Sequence, residues 1–527
     1  MPLIRPSTPV KPRQSPPWFW IGMGGIFLGS LLLRFWGLGR FNTLVFDEVY
    51  YAKFASAFLK GEIVFTGHPP LSTYIIAIGI WIGQWLPWGN SQPQNELTGL
   101  LLSPFSYRWL NAFTGALIPL VVGAIAYQLL HRRSYALLAA LLMGLDGLFL
   151  VESRYALNNV YLVLFGLLGH LWLLIALKRK QRRRWVYLIL SGVGFGAAGA
   201  IKWNGWGFLL GAYGVWAIAW LVEWFNSIRE SFLPEDPAVH RRSFISPLQH
   251  LTQLHLGQIL MGFGVVPLLT YYLSWVPYML VDPSDGGFLE LQAQTMDYHK
   301  RVGGLDAHPY CSLWYSWPLM QRPVAYFYEM SQGGSASAAI IDLPRPTYIS
   351  TPIYDVHAMG NPLLWWFSTV AVGIFCLFLG YRCWQVLWGK FAHSLATLPE
   401  RGSAARSNTP IAGTRRLTGR SNQSTSVLYS WTIAYLLINW GANLLPWVSV
   451  TRCLFIYHYM PSLVFSVLLL ALLVDRWFQS ALVWQRTAAI TTVLLVGAGF
   501  IFWLPLFLGL PLSPEGIALR RWFSSWI

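Results

Sequence analysis

"WFWIGMGGIFLGSLLLRFWGLGRFNTLVFDEVYYAKF", Trp18–Phe54, decides how the chain is to be read. Its first part, 18–38, holds a single charge, Arg34, and as a helix is long enough to cross ~30 Å of hydrocarbon. A few residues further on stand two adjacent carboxylates, Asp47 and Glu48, between Phe46 and Val49. Charge beside a bilayer is costly to desolvate, so the pair needs a reason to be there. The preceding tail, 1–17, is basic and Pro-rich, and no small-residue cleavage motif follows. Together they predict a retained signal anchor with a cytoplasmic N-terminus.

The same apolar pattern recurs through 527 residues that are 55% hydrophobic and 11% charged, less than half the charge of an ordinary soluble domain. Mean hydropathy is +0.46. Apolar runs at 18–38, 109–130, 134–153, 157–177, 185–201, 203–223, 257–279, 362–387, 427–445, 454–474 and 487–510 predict an all-α polytopic membrane protein. The net charge of +16 belongs to topology and anionic lipid rather than nucleic acid. Basic clusters lie in the N-terminal tail and at 131–133, 178–184, 240–242 and 401–420. All fall on the cytoplasmic side if one further apolar stretch, 69–88, stays in the interface or re-enters. That parity gives eleven spans, a cytoplasmic N-terminus and an external C-terminus, with Arg520 and Arg521 against the rule.

The expected organisation is a basic tail (1–17), a transmembrane catalytic core (18–387) with external loops 39–108 and 280–361, and a polar, disordered cytoplasmic linker (388–426). Two C-terminal spans within 427–510 and an external tail (511–527) complete it. Cys376 and Cys383 fall in or near one span and Cys311 and Cys453 elsewhere; without a CxxC, neither a zinc site nor a disulfide framework is expected. No internal repeat of the kind that builds transporters is evident.

Beyond Val49, Tyr50, Tyr51, Phe54, Phe58 and Leu59 recur at helical spacing opposite Lys53, Ser56 and Lys60, predicting a short amphipathic helix on the outer surface. Asp47 as its N-cap would explain one carboxylate, not two, and Tyr50 is not a capping-box residue. His68-Pro69-Pro70 fixes the backbone toward the membrane and offers His68 as a substrate contact. Cationic residues gather at external span ends: Arg154 in "VESRYALNN", Lys202 in "IKWNGW", and Arg452 in "TRCLFIYHYMP" beside Tyr457 and His458. Each alone would snorkel; together, opposite a carboxylate pair, they suit a phosphate at headgroup depth.

In order and kind these motifs resemble the protein O-mannosyltransferase family, whose members have a GT-C glycosyltransferase fold with juxtamembrane external helices. The family's Asp-Glu pair and His-Pro-Pro-Leu are matched by Asp47, Glu48 and His68 to Leu71. Its Lys-Trp element resembles "KWNGW", its external loop resembles "HPYCSLWYSWPLMQRPVAYFYE" (His308–Glu329), and its late signature resembles "RCLFIYHYMP". Asn159 stands where the family usually has Asp, and Ser72-Thr73 replace its Gly-Lys. No lectin-like MIR module fits in 280–361.

The resemblance implies inverting transfer of mannose, or a similar sugar, from a polyprenyl-phosphate donor to Ser or Thr of a translocated polypeptide. Asp47 would be the base and Glu48 its orienting partner. Arg154, Lys202, Arg452, Tyr457 and His458 would hold the donor, with His68, Asn159, His308 and Arg322 as further substrate contacts. The donor is a substrate, and no obligatory metal or other cofactor is expected. The implied setting is a bacterial plasma membrane with the site external, in reach of the secretion machinery and membrane lipids. The rival readings are a related GT-C enzyme glycosylating a lipid or glycan, and a transporter, for which only Asp146 lies deep in an apolar run. Thiols introduced at Phe65 and Gln92 should both react with an impermeant reagent from outside; protection of 92 alone would make 69–88 a twelfth span.

Overall fold

The computed structural model describes residues 17–231, 246–331, 351–396 and 416–527, apart from 88, 90, 92, 284 and 285, together with 340 and 349. Among them, nine helices are long and apolar enough to cross a membrane, and a tenth span is a pair bent by 60°. The first is α1 (Pro17–Phe35). After it come two short helices, α2 (Glu48–Leu59) and α3 (Leu71–Gly83). At 13 residues α3 is about 20 Å long, too short to cross, as parity requires of 69–88.

Helix α4 (Pro104–Leu130) starts where Ser103 accepts a hydrogen bond from Ser106 N and Pro104 presets the first turn. The bent span consists of α5 (Arg133–Gly144) and α6 (Gly147–Arg154). Asp146 sits at the break, accepting from Phe149 N at 2.8 Å and Trp365 Nε1 at 2.7 Å. The deep acid that a transporter would need is thus an N-cap.

Then follow α7 (Asn159–Ala176), α8 (Gln181–Ile201), α9 (Trp206–Ser231), α10 (Leu256–Ile259) and, through a π-turn, α11 (Val266–Val281). Outside the bundle lies α12 (Phe288–Arg301). The remaining long helices are α13 (Pro362–Ala396), α14 (Arg416–Leu444), α15 (Met460–Phe478) and α16 (Val483–Leu508), followed by short α17 (Pro514–Ala518). The apolar run at 427–445 lies in α14, which carries buried Thr432, Asn439 and Asn443 and is not among those ten spans. Helix α15, buried throughout its membrane length, is the axis of the bundle.

Three expectations need correction. The linker 388–426 is helical at both ends, since α13 runs to Ala396 and α14 begins at Arg416; 397–415 lie outside the described residues. Helix α2 forms, but rotated: Ser56 is buried and donates to Leu97 O at 2.7 Å, while Tyr50 is exposed. A polar contact to a neighbouring hairpin, β1 (Asn95–Leu97) and β2 (Leu100–Leu102), outweighs the helix's own pattern. A disulfide joins Cys311 to Cys453, Cα atoms 5.1 Å apart, and ties the loop after α12 to the segment before α15. Backbone bonds from Ser312 N to Leu454 O and Cys453 N to Gly303 O flank it, both 2.8 Å.

A small antiparallel sheet, β3 (Val324–Met330), β4 (Ile353–Ala358) and β5 (Pro511–Leu512), in that order, supplements the helices. It also accounts for the two C-terminal arginines. Arg521 pairs with buried Asp355 at 3.1 Å, and Arg520 donates to Phe502 O and Gly516 O. Local partners, not the membrane, occupy these charges.

Near the N-terminal end of α4, Arg108 and Glu48 form a bidentate pair without solvent exposure, both bonds 2.8 Å. Arg108→Ala leaves a buried carboxylate unpaired and should cost about 3–5 kcal/mol. Thermal unfolding in detergent should show a large fall in midpoint; an unchanged midpoint would contradict this role.

Candidate active site

The site grows from the turn before α2. Phe46 adopts left-handed backbone, φ 50°, which a bulky residue holds only when its surroundings compel it. The restraint is Tyr326 of β3, whose ring stacks on Phe46 with centroids 4.2 Å apart and planes 9° from parallel. The turn sends the two carboxylates apart. Glu48 faces inward, accepting from Val45 N at 2.9 Å, Ala156 N at 2.8 Å and Arg108. These bonds anchor Glu48 to the chain before it, to α4 and to the α6–α7 connection.

Asp47 occupies the N-cap position in helical backbone (φ −67°, ψ −2°), yet its side chain makes no capping bond. The half-buried carboxylate accepts no hydrogen bond from the described residues. Burial pushes its pKa up to about 6, against the pull of Lys202.

Lys202 sits where α8 breaks into a 3-10 turn (Trp203–Gly205) ahead of α9. Its ammonium lies 5.2 Å from the Tyr457 ring centroid, a cation–π contact. Burial, with Arg452 nearby, brings its pKa down to about 8, while Asp47 and Glu152 oppose the fall. Lys202 and Arg452 line a cavity of about 920 Å³, together with His68 and with His299 of α12. Leu210 and Pro446 contribute to its apolar wall. The His68 and His299 rings are 5.2 Å apart, each with a buried Nδ1 lacking a protein partner. Burial and the adjoining cations hold both imidazoles below their usual pKa, His299 at about 4. A cationic wall, an apolar wall and a free carboxylate can receive an amphiphilic anion beside a group that takes a proton.

Asp47, His68, Lys202, Arg452 and Tyr457 are therefore grouped as their motifs suggested. Others are placed differently. Arg154 donates to the carbonyls of Leu33, Arg34, Trp36 and Gly37 at 2.8–3.0 Å, closing the end of α1; its guanidinium is committed there rather than to a phosphate. His458 is buried, its Nδ1 2.9 Å from Phe455 O and its ring stacked on Trp317. His308 accepts from Tyr310 N, and Arg322 donates to Pro309 O, so both brace their loop. Asn159 donates to Glu152 at 3.1 Å. Glu152, Tyr326 and His299 were not anticipated as site residues. Glu152 stands in the same motif as Arg154, but no sequence signal distinguishes its burial.

Residues 25–276 match the family model described as dolichyl-phosphate-mannose-protein mannosyltransferase. Residues 286–526 match the C-terminal four TMM region of protein-O-mannosyltransferase. The chain is 23% identical over 579 residues to a polyprenol-phosphate-mannose–protein mannosyltransferase of Mycolicibacterium smegmatis, covering 100% of this chain and 97% of the relative. A relative of the same description from Corynebacterium glutamicum is 22% identical, with 94% and 91% covered. Among solved structures, the S. cerevisiae protein O-mannosyltransferase Pmt1–Pmt2 complex bound to the sugar donor superposes with a TM-score of 0.71 at 13% identity, covering 98% of this chain and 93% of that one. The fold is that of the GT-C glycosyltransferases, and the chain belongs to the dolichyl-phosphate-mannose–protein mannosyltransferase family.

Proposed function

We propose that this enzyme, a lipid-phosphate-mannose-dependent mannosyltransferase by family, glycosylates Ser or Thr hydroxyls of polypeptides with Asp47 as general base. The observation that carries the proposal is a carboxylate without a hydrogen-bond partner among the described residues, facing Lys202 beside the cavity. The hydroxyl oxygen attacks C1 of the mannose and its proton passes to Asp47. The bond between C1 and the phosphate oxygen breaks, and its electron pair leaves with the lipid phosphate. Lys202 and Arg452 balance the charge that the phosphate gains, and charge-assisted contacts are worth roughly twice neutral ones. The apolar wall suits the first isoprene units. Inversion at C1 follows from a single displacement.

The catalytic face would be external, in a bacterial plasma membrane. The Cys311–Cys453 disulfide beside Arg452 supports that side, because disulfides persist in oxidising compartments. An acceptor chain would then arrive from the secretion machinery.

With polyprenyl-phosphate mannose and a Ser/Thr-rich peptide, the purified enzyme should add hexose detectable by mass spectrometry. Protonation of Asp47 removes the base as pH falls through about 6, and loss of the Lys202 proton removes a cation as pH rises through about 8. Each group acts on the other, so the limbs belong to the pair. The expected kcat/KM profile is a bell between those values. A hexose-free peptide would overturn the acceptor, and a profile without an acid limb would overturn the base.

A further inference from the structure

Glu152 is fully buried near the outer end of α6, and no step above uses it. One oxygen accepts from the Tyr326 hydroxyl and the other from Asn159 Nδ2 at 3.1 Å. Both donors are neutral, so the charged form of this buried carboxylate depends on a cation within reach. That cation is Lys202, on which Glu152 and Asp47 act together. Through Tyr326 the same side chain also reaches Phe46, the residue before Asp47.

Position 159 bears an amide that donates to the acid at 152. An aspartate in its place would set two carboxylates about 3 Å apart, and one would have to hold a proton. With an amide at 159, Glu152 is the one carboxylate of this contact.

We propose that Glu152 is a positioning residue of the transfer site: it shares Lys202 with Asp47 and fixes Tyr326 behind the Phe46–Asp47 turn. This rests on Lys202 as the cation for the donor phosphate. The groups facing Lys202 are Asp47 before α2, Glu152 on α6, Arg452, Tyr457 and His458 around the start of α15, His68 before α3 and His299 on α12. Only Asp47 and Glu152 are carboxylates. With Glu152 neutralised, Arg452 is less opposed and Lys202 gives up its proton at lower pH.

The test is the pH dependence of kcat/KM for peptide mannosylation by detergent-purified enzyme. Glu152→Gln should move the alkaline limb down by about one pH unit, a tenfold change in the proton equilibrium. Glu152→Asp, which keeps the charge, should leave the limb in place, and Glu152→Gln combined with Asn159→Asp should restore it. Tyr326→Phe keeps both the charge and the stacked ring, so its limb should also stay. An unmoved limb in Glu152→Gln, or no recovery in the double variant, overturns the proposal. Should Glu152→Gln not fold, a displaced limb in Glu152→Asp or Tyr326→Phe would overturn it, because packing would then set the limb. Failure of Asp47 as base would appear separately, in the acid limb.

Discussion

A buried ion pair holds the loop after α1 to the bundle. Arg108 uses all five of its N–H groups: two on Glu48, and three on the carbonyls of Leu38, Phe41 and Thr43. Glu48 accepts in addition from Val45 N and Ala156 N. The pair thus joins the chain leaving α1, the N-terminal turn of α4 and the connection from α6 to α7. Desolvating two charges is costly, and such a pair persists when every donor and acceptor is satisfied, as here. One residue earlier in the chain, Asp47 inherits a fixed position without sharing those bonds.

Two neighbouring carboxylates consequently have different chemistry. Glu48 is held by Arg108 and two backbone N–H groups; the half-buried Asp47 carboxylate accepts no hydrogen bond among the described residues and is opposed by a buried lysine. Separation of roles by environment is how acid and base assignments arise within one site. The strained Phe46 that turns the pair apart is held from outside by Tyr326 on β3. That strand pairs with β4, where Asp355 receives Arg521 from the C-terminal tail. The sheet and the C-terminal tail thereby brace the turn that carries Asp47, and the disulfide ties down the segment that carries Arg452.

Nine spans among the described residues were legible because each is an apolar helix long enough to cross the hydrocarbon, whereas the break at Asp146 in the bent pair and the polar residues inside α14 were not. Asp47, Lys202 and Arg452 were legible as charges at span ends. What such patterns lack is direction. Arg154 looks the same in sequence whether it faces a phosphate or four carbonyls, and the α2 pattern could not anticipate that Ser56 would bond to Leu97 O. Long-range partners were equally hidden: Tyr326 meets Glu152 across 174 positions, and Cys311 meets Cys453 across 142.

The division of labour within Asp47-Glu48 is tested most directly by measuring turnover and thermal unfolding for Asp47→Asn and Glu48→Gln side by side. Asn cannot take the proton but keeps the shape, so Asp47→Asn should unfold with the parent while turnover falls by ~100-fold or more. Glu48→Gln removes the charge that Arg108 requires and should lower the unfolding midpoint markedly. A stable Asp47→Asn enzyme with near-parent turnover would contradict the account.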